Sequence, residues 1–395
     1  MLPSILSNLC RFAALRPALA TGLTFAADSL MFGSWVAYIP FVKSKLALDD
    51  AQLGLALFGM PLGLLLMNPF SAMLIARFGL ARITTLTTIL LMLAFALPVW
   101  MPDRWTLMAA LVLVGMVVAV LNVAMNTCAT RLEEAHKAHL MSTCHGLWSM
   151  GGMLGSGLAA AMIFLKVDPR LHLGVIATLV AGLALFWIRP LLMQIPGAGR
   201  PEPSAEPRKG SVFILPNRDL LLMIFIGMMV SLSEGVAFDW SGVYLRDQLG
   251  APEQTAALGF TFFSLTMMAM RFAGDVLIPE YGERKLLYFT AFLSLLSIVL
   301  IIVAQWPWLA LLGFLGLGAG VAMGAPILFN ACARVPGLAP GAGLATYATF
   351  SFMGFLAGPP AIGFVGEHFG LRVGFGIVVG LWLLAVPAVR WVRLR

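Results

Sequence analysis

Charge is scarce in this chain. Only 11% of its 395 residues are Asp, Glu, Lys or Arg, whereas soluble domains carry about 25%, so these residues cannot build a water-exposed surface. Cysteine is scarcer still. Cys10, Cys128, Cys144 and Cys332 show no paired spacing, which excludes a disulfide framework or a zinc site and leaves them as small packing residues. Short segments of alternating polarity are missing, which excludes a membrane β-barrel. No phosphate-binding loop, nucleotide fold or metal-ligand cluster is present, so no cofactor and no metal are expected. Ser142, Cys144 and His145 are too close in sequence to converge on a helix and have no orienting acid, so no enzymatic activity is expected either.

What is present is apolar. Hydrophobic residues make up 60% of the chain, in recurring runs of about 20, each long enough to cross a hydrocarbon layer of roughly 30 Å. The pattern predicts an all-α membrane protein with twelve transmembrane helices near 17–42, 51–76, 82–101, 104–131, 140–165, 171–193, 218–247, 254–278, 286–305, 308–333, 340–365 and 371–392. Turn signals such as Leu48-Asp49-Asp50, Met101-Pro102-Asp103 and Asp168-Pro169 separate them. Arg11 and Arg16 precede an apolar stretch that runs to Phe41, too long for a cleaved signal peptide and therefore read as the first membrane helix. Pro359-Pro360 should kink helix eleven.

The net charge of +7 does not point to nucleic acid. Lys43, Lys45, Arg104, Lys166, Arg170, Arg246 and Arg372 fall at one set of helix ends, and the remainder of the 25 Lys and Arg fall at the other. The positive-inside rule then puts both termini in the cytoplasm, with the protein in a bacterial inner membrane.

The chain also repeats itself. Trp35 precedes Leu53-Gly54 by 18 residues, and Trp240 precedes Leu258-Gly259 by 18, at an offset of 205. Met150-Gly151-x-x-x-Gly155 recurs as Met353-Gly354-x-x-x-Gly358, at an offset of 203. Duplication of a six-helix unit implies an N-terminal bundle over 1–194, a cytoplasmic linker over the polar, Pro-rich stretch 195–216, and a C-terminal bundle over 217–395. Two parallel halves in an apolar chain point to a secondary transporter with its site between them.

An ionisable group in a membrane helix is costly unless it faces a cavity or a partner. Asp28 lies mid-membrane in helix one, and Glu234 lies at similar depth in helix seven. Shifting Asp28 by 205 gives Ser233, beside Glu234. Two such acids suit proton coupling, because a carboxylate's proton affinity follows its surroundings; alternatively they are hydrogen-bonded acids that fix packing. Asp239 would be rotated some 140° from Glu234 on an α-helix and is expected to pair locally, with Arg246. Asn122 and Asn126 share one face of helix four and can bind hydroxyls or amines, or glue helices together. His145 and Trp148 on helix five can bind a polar ligand, relay protons or form a gate. Trp35, Trp240 and Ser351 (the counterpart of Trp148) complete the expected substrate site. Arg271 and Asp275, four residues apart at the end of helix eight, are expected to act with Arg77 as a gate, or else to anchor at the interface.

Several motifs together resemble one family. Gly33-Ser34-Trp35-x-x-x-Ile39-Pro40, Asn122-Val123-Ala124-Met125-Asn126, Met141-Ser142-x-x-His145-Gly146-x-Trp148 and Glu234-Gly235-x-x-x-Asp239-Trp240-Ser241 are similar to the YbjJ/MosC-like branch of the major facilitator superfamily. Gly274-Asp275 and Met353-Gly354-Phe355-Leu356-Ala357-Gly358-Pro359-Pro360 fit it too. The branch resembles fucose permease-like proton symporters, and that resemblance implies Asp28 as the coupling acid of helix one. Those symporters carry a Glu in helix four where this chain has Asn122, so the second acid is expected from Glu234. The superfamily's loop motif survives as Ala76-Arg77-Phe78-Gly79-x-x-Arg82, with Ala76 in place of its usual Asp. Drug antiporters place an Arg in helix four and Gly-Pro in helix five; both are missing here.

The expected function is proton-coupled transport of a small polar organic solute (a sugar, polyol, amine or related metabolite) by a monomer in the lipid bilayer. An exporter of apolar metabolites or drugs, or a non-transporting receptor on a transporter fold, are the alternatives.

Overall fold

Without water, the backbone must satisfy its own hydrogen bonds, and an apolar chain does so by folding as helices. The computed structural model describes residues 9–137, 140–198, 216–335 and 342–394, apart from the side chains of residues 275, 342 and 345. Twelve helices among them are long and apolar enough to cross a membrane. We number them α1 (Arg16–Lys45), α2 (Asp50–Phe78), α3 (Leu80–Trp100), α4 (Arg104–His136), α5 (Met141–Phe164), α6 (Pro169–Leu192), α7 (Arg218–Gln248), α8 (Glu253–Gly274), α9 (Glu283–Val303), α10 (Pro307–Cys332), α11 (Thr346–Phe369) and α12 (Leu371–Trp391). Most of the connecting stretch expected as a linker, 199–215, lies outside the described residues.

Short polar residues start several helices by holding backbone N–H groups that have no partner within the helix. Asp49 accepts from the Gln52 N–H at 2.7 Å, and Asn217 from the Leu220 N–H at 2.9 Å. Asp103 forms a capping box with Thr106, whose N–H, with that of Trp105, holds the Asp103 carboxyl below the usual range. Gly79, after α2, and Gly282, after the helical run that continues α8 to Tyr281, make tight joins with φ of 88° and 82°, a backbone that only glycine adopts without strain.

The packing follows the same pattern twice along the chain. In the first half α1 packs on α5, α2 on α4, and α3 on α4 and α6. The second half repeats this with α7 on α11, α8 on α10, and α9 on α10 and α12. Equivalent crossings use equivalent glycines: a Cβ on Gly115 would strike the Met60 carbonyl, and one on Gly318, 203 residues later, would strike the Phe263 carbonyl. The halves meet along α5 with α8 and α2 with α11.

The chain stays helical across Pro359-Pro360, and the interruption falls earlier, at Phe352, between Ala342–Ser351 and Met353–Phe369. The carbonyls crowded by the Pro359 and Pro360 rings are those of Phe355 and Leu356, so the break at Phe352, nearly a turn earlier, is a separate feature.

At one end the halves are tied by charge. Lys43 of α1 bridges Asp50 of α2 at 2.5 Å and Asp247 of α7 at 2.7 Å. Arg246 donates to the Pro40 carbonyl and to Ser44 Oγ, and the Asp50 N–H donates to Glu367 of α11. At the opposite end the ion pairs Arg334–Glu283 and Arg393–Asp219 stay within the second half.

Candidate functional site

Midway along the helices, between the halves, lies a cavity of about 290 Å³. Its polar lining comes from Asp28 on α1, Asn122 on α4, His145 and Trp148 on α5, Glu234 and Asp239 on α7, and Arg271 on α8. Phe32, Phe238, Phe352 and Phe355 supply aromatic walls, and Trp35, Met60, Leu64 and Met125 supply apolar ones.

One chain of contacts joins the acids of the two halves. The Trp148 indole N–H donates to Asp28 Oδ2 at 2.8 Å. The Arg271 guanidinium lies over the Trp148 ring, 5.7 Å from its centroid, and donates to Ser149 Oγ at 3.0 Å. Its other terminal nitrogen lies 3.5 Å from Glu234 Oε1, with both side chains largely shielded from solvent. Ser142 Oγ donates to the Arg271 carbonyl at 2.8 Å, which anchors α8 against α5 at this level. Asp28, Trp148, Arg271 and Glu234 thus form a continuous polar strip across the interface. Phe32 stacks beside Trp148 at 6.1 Å, and Phe238 and Phe355 stack at 5.9 Å with ring planes 15° apart.

Of the residues expected from sequence, Asp28, Trp35, Asn122, His145, Trp148, Glu234 and Arg271 line this cavity. Arg271 belongs to the central strip and pairs with Glu234 of the neighbouring helix; the Asp275 side chain, its expected partner, lies outside the described residues. Sequence spacing ranks neighbours on one helix, whereas here packing brings two helices together. Arg77 lies exposed against the Phe78 ring, away from the cavity. Trp240 is fully buried in the core, Asn126 turns back to the Asn122 carbonyl at 2.8 Å, and Ser351 faces the Ala348 carbonyl of its own helix. None of these three lines the cavity.

Asp239 reverses the expectation made for it. Its proposed partner Arg246 is engaged with Asp247 at 2.6 Å, and Asp239 faces the cavity beside Glu234. Residues Val236–Trp240 form a π turn. Such a turn takes about 4.4 residues where the α-helix takes 3.6, which closes much of the 140° between positions 234 and 239. A carboxylate inside an apolar run was the available signal; an assumed uniform helical period concealed it. The Lys43–Asp50–Asp247 cluster was also missed, since its members come from three helices.

Residues 18–339 and 243–395 match the family model described as "Major Facilitator Superfamily". An uncharacterised MFS-type transporter of Yersinia pestis is 31% identical over 369 residues, 93% of this chain and 94% of that protein. Membrane protein MosC of Rhizobium meliloti is 29% identical, covering 93% and 88%. Among solved structures, a D-xylose–proton symporter aligns with a TM-score of 0.72 at 16% identity, over 95% of this chain and 98% of that one.

Proposed function

The chain belongs to the Major Facilitator Superfamily, and on that premise we propose that it is a proton-coupled carrier for a small polar organic solute, working by alternating access across a bacterial inner membrane. The solute is a sugar, polyol, amine or related metabolite. Both termini are cytoplasmic, and the two six-helix halves rock about the central cavity as a monomer. The observation that carries this reading is the strip Asp28–Trp148–Arg271–Glu234, which crosses the interface inside a cavity of metabolite size.

Rocking of one half against the other separates α1 and α5 from α7 and α8, so it alters the surroundings of both acids at once. A carboxylate binds or releases its proton when nearby charge and solvent change. Asp28 and Glu234 are the coupling acids on this account. Asn122, His145, Trp148 and Trp35 contact the solute, while Arg271 ties Glu234 to the opposing half. On this account the Lys43–Asp50–Asp247 cluster is a latch that ties the two halves together on the outer side. A protein described as a D-xylose–proton symporter shares the fold, which supports proton coupling as the reading.

The test is solute uptake into proteoliposomes under an imposed proton gradient. Asp28→Asn is expected to abolish uphill accumulation while sparing part of the exchange between labelled and unlabelled solute. Undiminished uphill transport by that variant would remove Asp28 from the mechanism. The aromatic walls favour a second reading, export of more apolar metabolites; efflux of an apolar dye in the same vesicles, with no sugar or amine flux, would select it.

A further inference from the structure

Building on the carrier reading, we propose that Asp239 is the counter-ion for a cationic substrate, an organic amine whose charged group seats between this carboxylate and the Phe238–Phe355 aromatic pair. The cavity holds three carboxylates and one guanidinium, with His145 as its other titratable group. The guanidinium is committed to Glu234 and Ser149, and Asp28 holds the Trp148 indole N–H. Among the described residues Asp239 has neither an ion-pair partner nor a side-chain donor. A lone carboxylate in a low-dielectric cavity lacks a favourable partner, and a substrate cation would supply one.

The surroundings of that carboxylate fit an ammonium group. A Cβ built on Gly235 would lie 3.9 Å from Asp239 Oδ2 and 4.0 Å from Phe355 Cδ1, so the acid and the ring converge over Gly235. Phe355 stacks on Phe238 at 5.9 Å, and Phe238 meets Phe32 edge-to-face at 5.2 Å. Aromatic faces beside a carboxylate attract a cation through ring quadrupole and charge together. A neutral polyol would satisfy the hydrogen bonds but leave the charge unbalanced. Gly235, lacking a side chain, leaves room there for one atom in ordinary contact with both the acid and the ring.

The test uses matched pairs, glucosamine with glucose and benzylamine with benzyl alcohol, each titrated into detergent-purified protein by calorimetry and then followed for flux in proteoliposomes. The amine of at least one pair should bind at least tenfold more tightly than its neutral partner. Asp239→Asn should weaken amine binding about ten- to a hundredfold, the loss of one charge-assisted contact. Asp239→Glu should keep most of it, and Phe355→Leu, which leaves the acid in place, should weaken it several-fold. Equal binding of amine and neutral partner by the unmodified protein overturns the proposal without need of any variant. So does unchanged amine binding by Asp239→Asn, the result expected if the acid is simply protonated. Neutral solutes carried by the unmodified protein at least as fast as their amines, with amine flux unchanged in Asp239→Asn, would overturn this inference and leave the carrier reading standing. No proton-driven flux of any solute by the unmodified protein would bring down both.

Discussion

Where α1 crosses α5, Asp28 is held by Trp148 at 2.8 Å beside an open cavity. At the position 205 residues later, Ser233 is fully buried, accepts from the Trp382 indole N–H at 2.8 Å and donates to the Met229 carbonyl. The second half thus spends its equivalent position on packing and moves its acid one residue along, to Glu234, which needs Arg271 of α8 as partner. The backbone crossings survived duplication because two helices at carbonyl contact tolerate no side chain there. Polar side chains in a cavity are under no such steric demand and were free to diverge.

The comparison breaks first, and most severely, at Glu234. Glu234→Gln leaves the Arg271 guanidinium shielded and unpaired, at a cost of about 3 kcal/mol, the low end for breaking a buried pair given the 3.5 Å separation. Asp28→Asn retains an oxygen for the Trp148 N–H and should cost under about 1 kcal/mol. Thermal unfolding of the two variants in one detergent measures the difference; equal losses would make the two acids equivalent after all.

The scaffold should behave symmetrically where the chemistry does not. Gly115→Val and Gly318→Val should each destabilise by about 1–3 kcal/mol through overpacking, whereas Gly376→Ala, with nothing within 4 Å of its Cβ, serves as the mild control. A large loss at one crossing and none at the other would show that the halves do not share their packing.

The smallest effect lies at a helix start. Asp103 caps α4, while Trp306, 203 residues on, precedes α10 with no side-chain cap. Because the Asp103 carboxyl sits below its unfolded value of 3.8, its contribution is complete above that pH and fades as pH falls through the depressed folded value. Hydrogen-exchange protection factors at the first turn of α4, rates corrected for the intrinsic pH dependence of amide exchange, should therefore fall in acid, with no matching change at α10. Asp103→Ala should remove that acid dependence.

Much of this molecule is legible without coordinates. Run length and turn residues placed the twelve spans, because a helix must match the hydrocarbon thickness and ends where polar caps or glycine allow. The Trp and Gly markers disclosed the repeat. Asp28 and Glu234 stood out because a carboxylate deep in an apolar run is expensive, and both face the cavity. Tertiary structure decided the rest. Arg271 found Glu234 on a different helix, a partnership that spacing along one helix cannot disclose. Asp239 reached the cavity because a π turn changed the local period, and a sequence read at 3.6 residues per turn places it on the wrong face. Spans and buried charges follow from the cost of each residue in lipid, a local property; partners and facing follow from how helices wind and pack, which no residue carries alone.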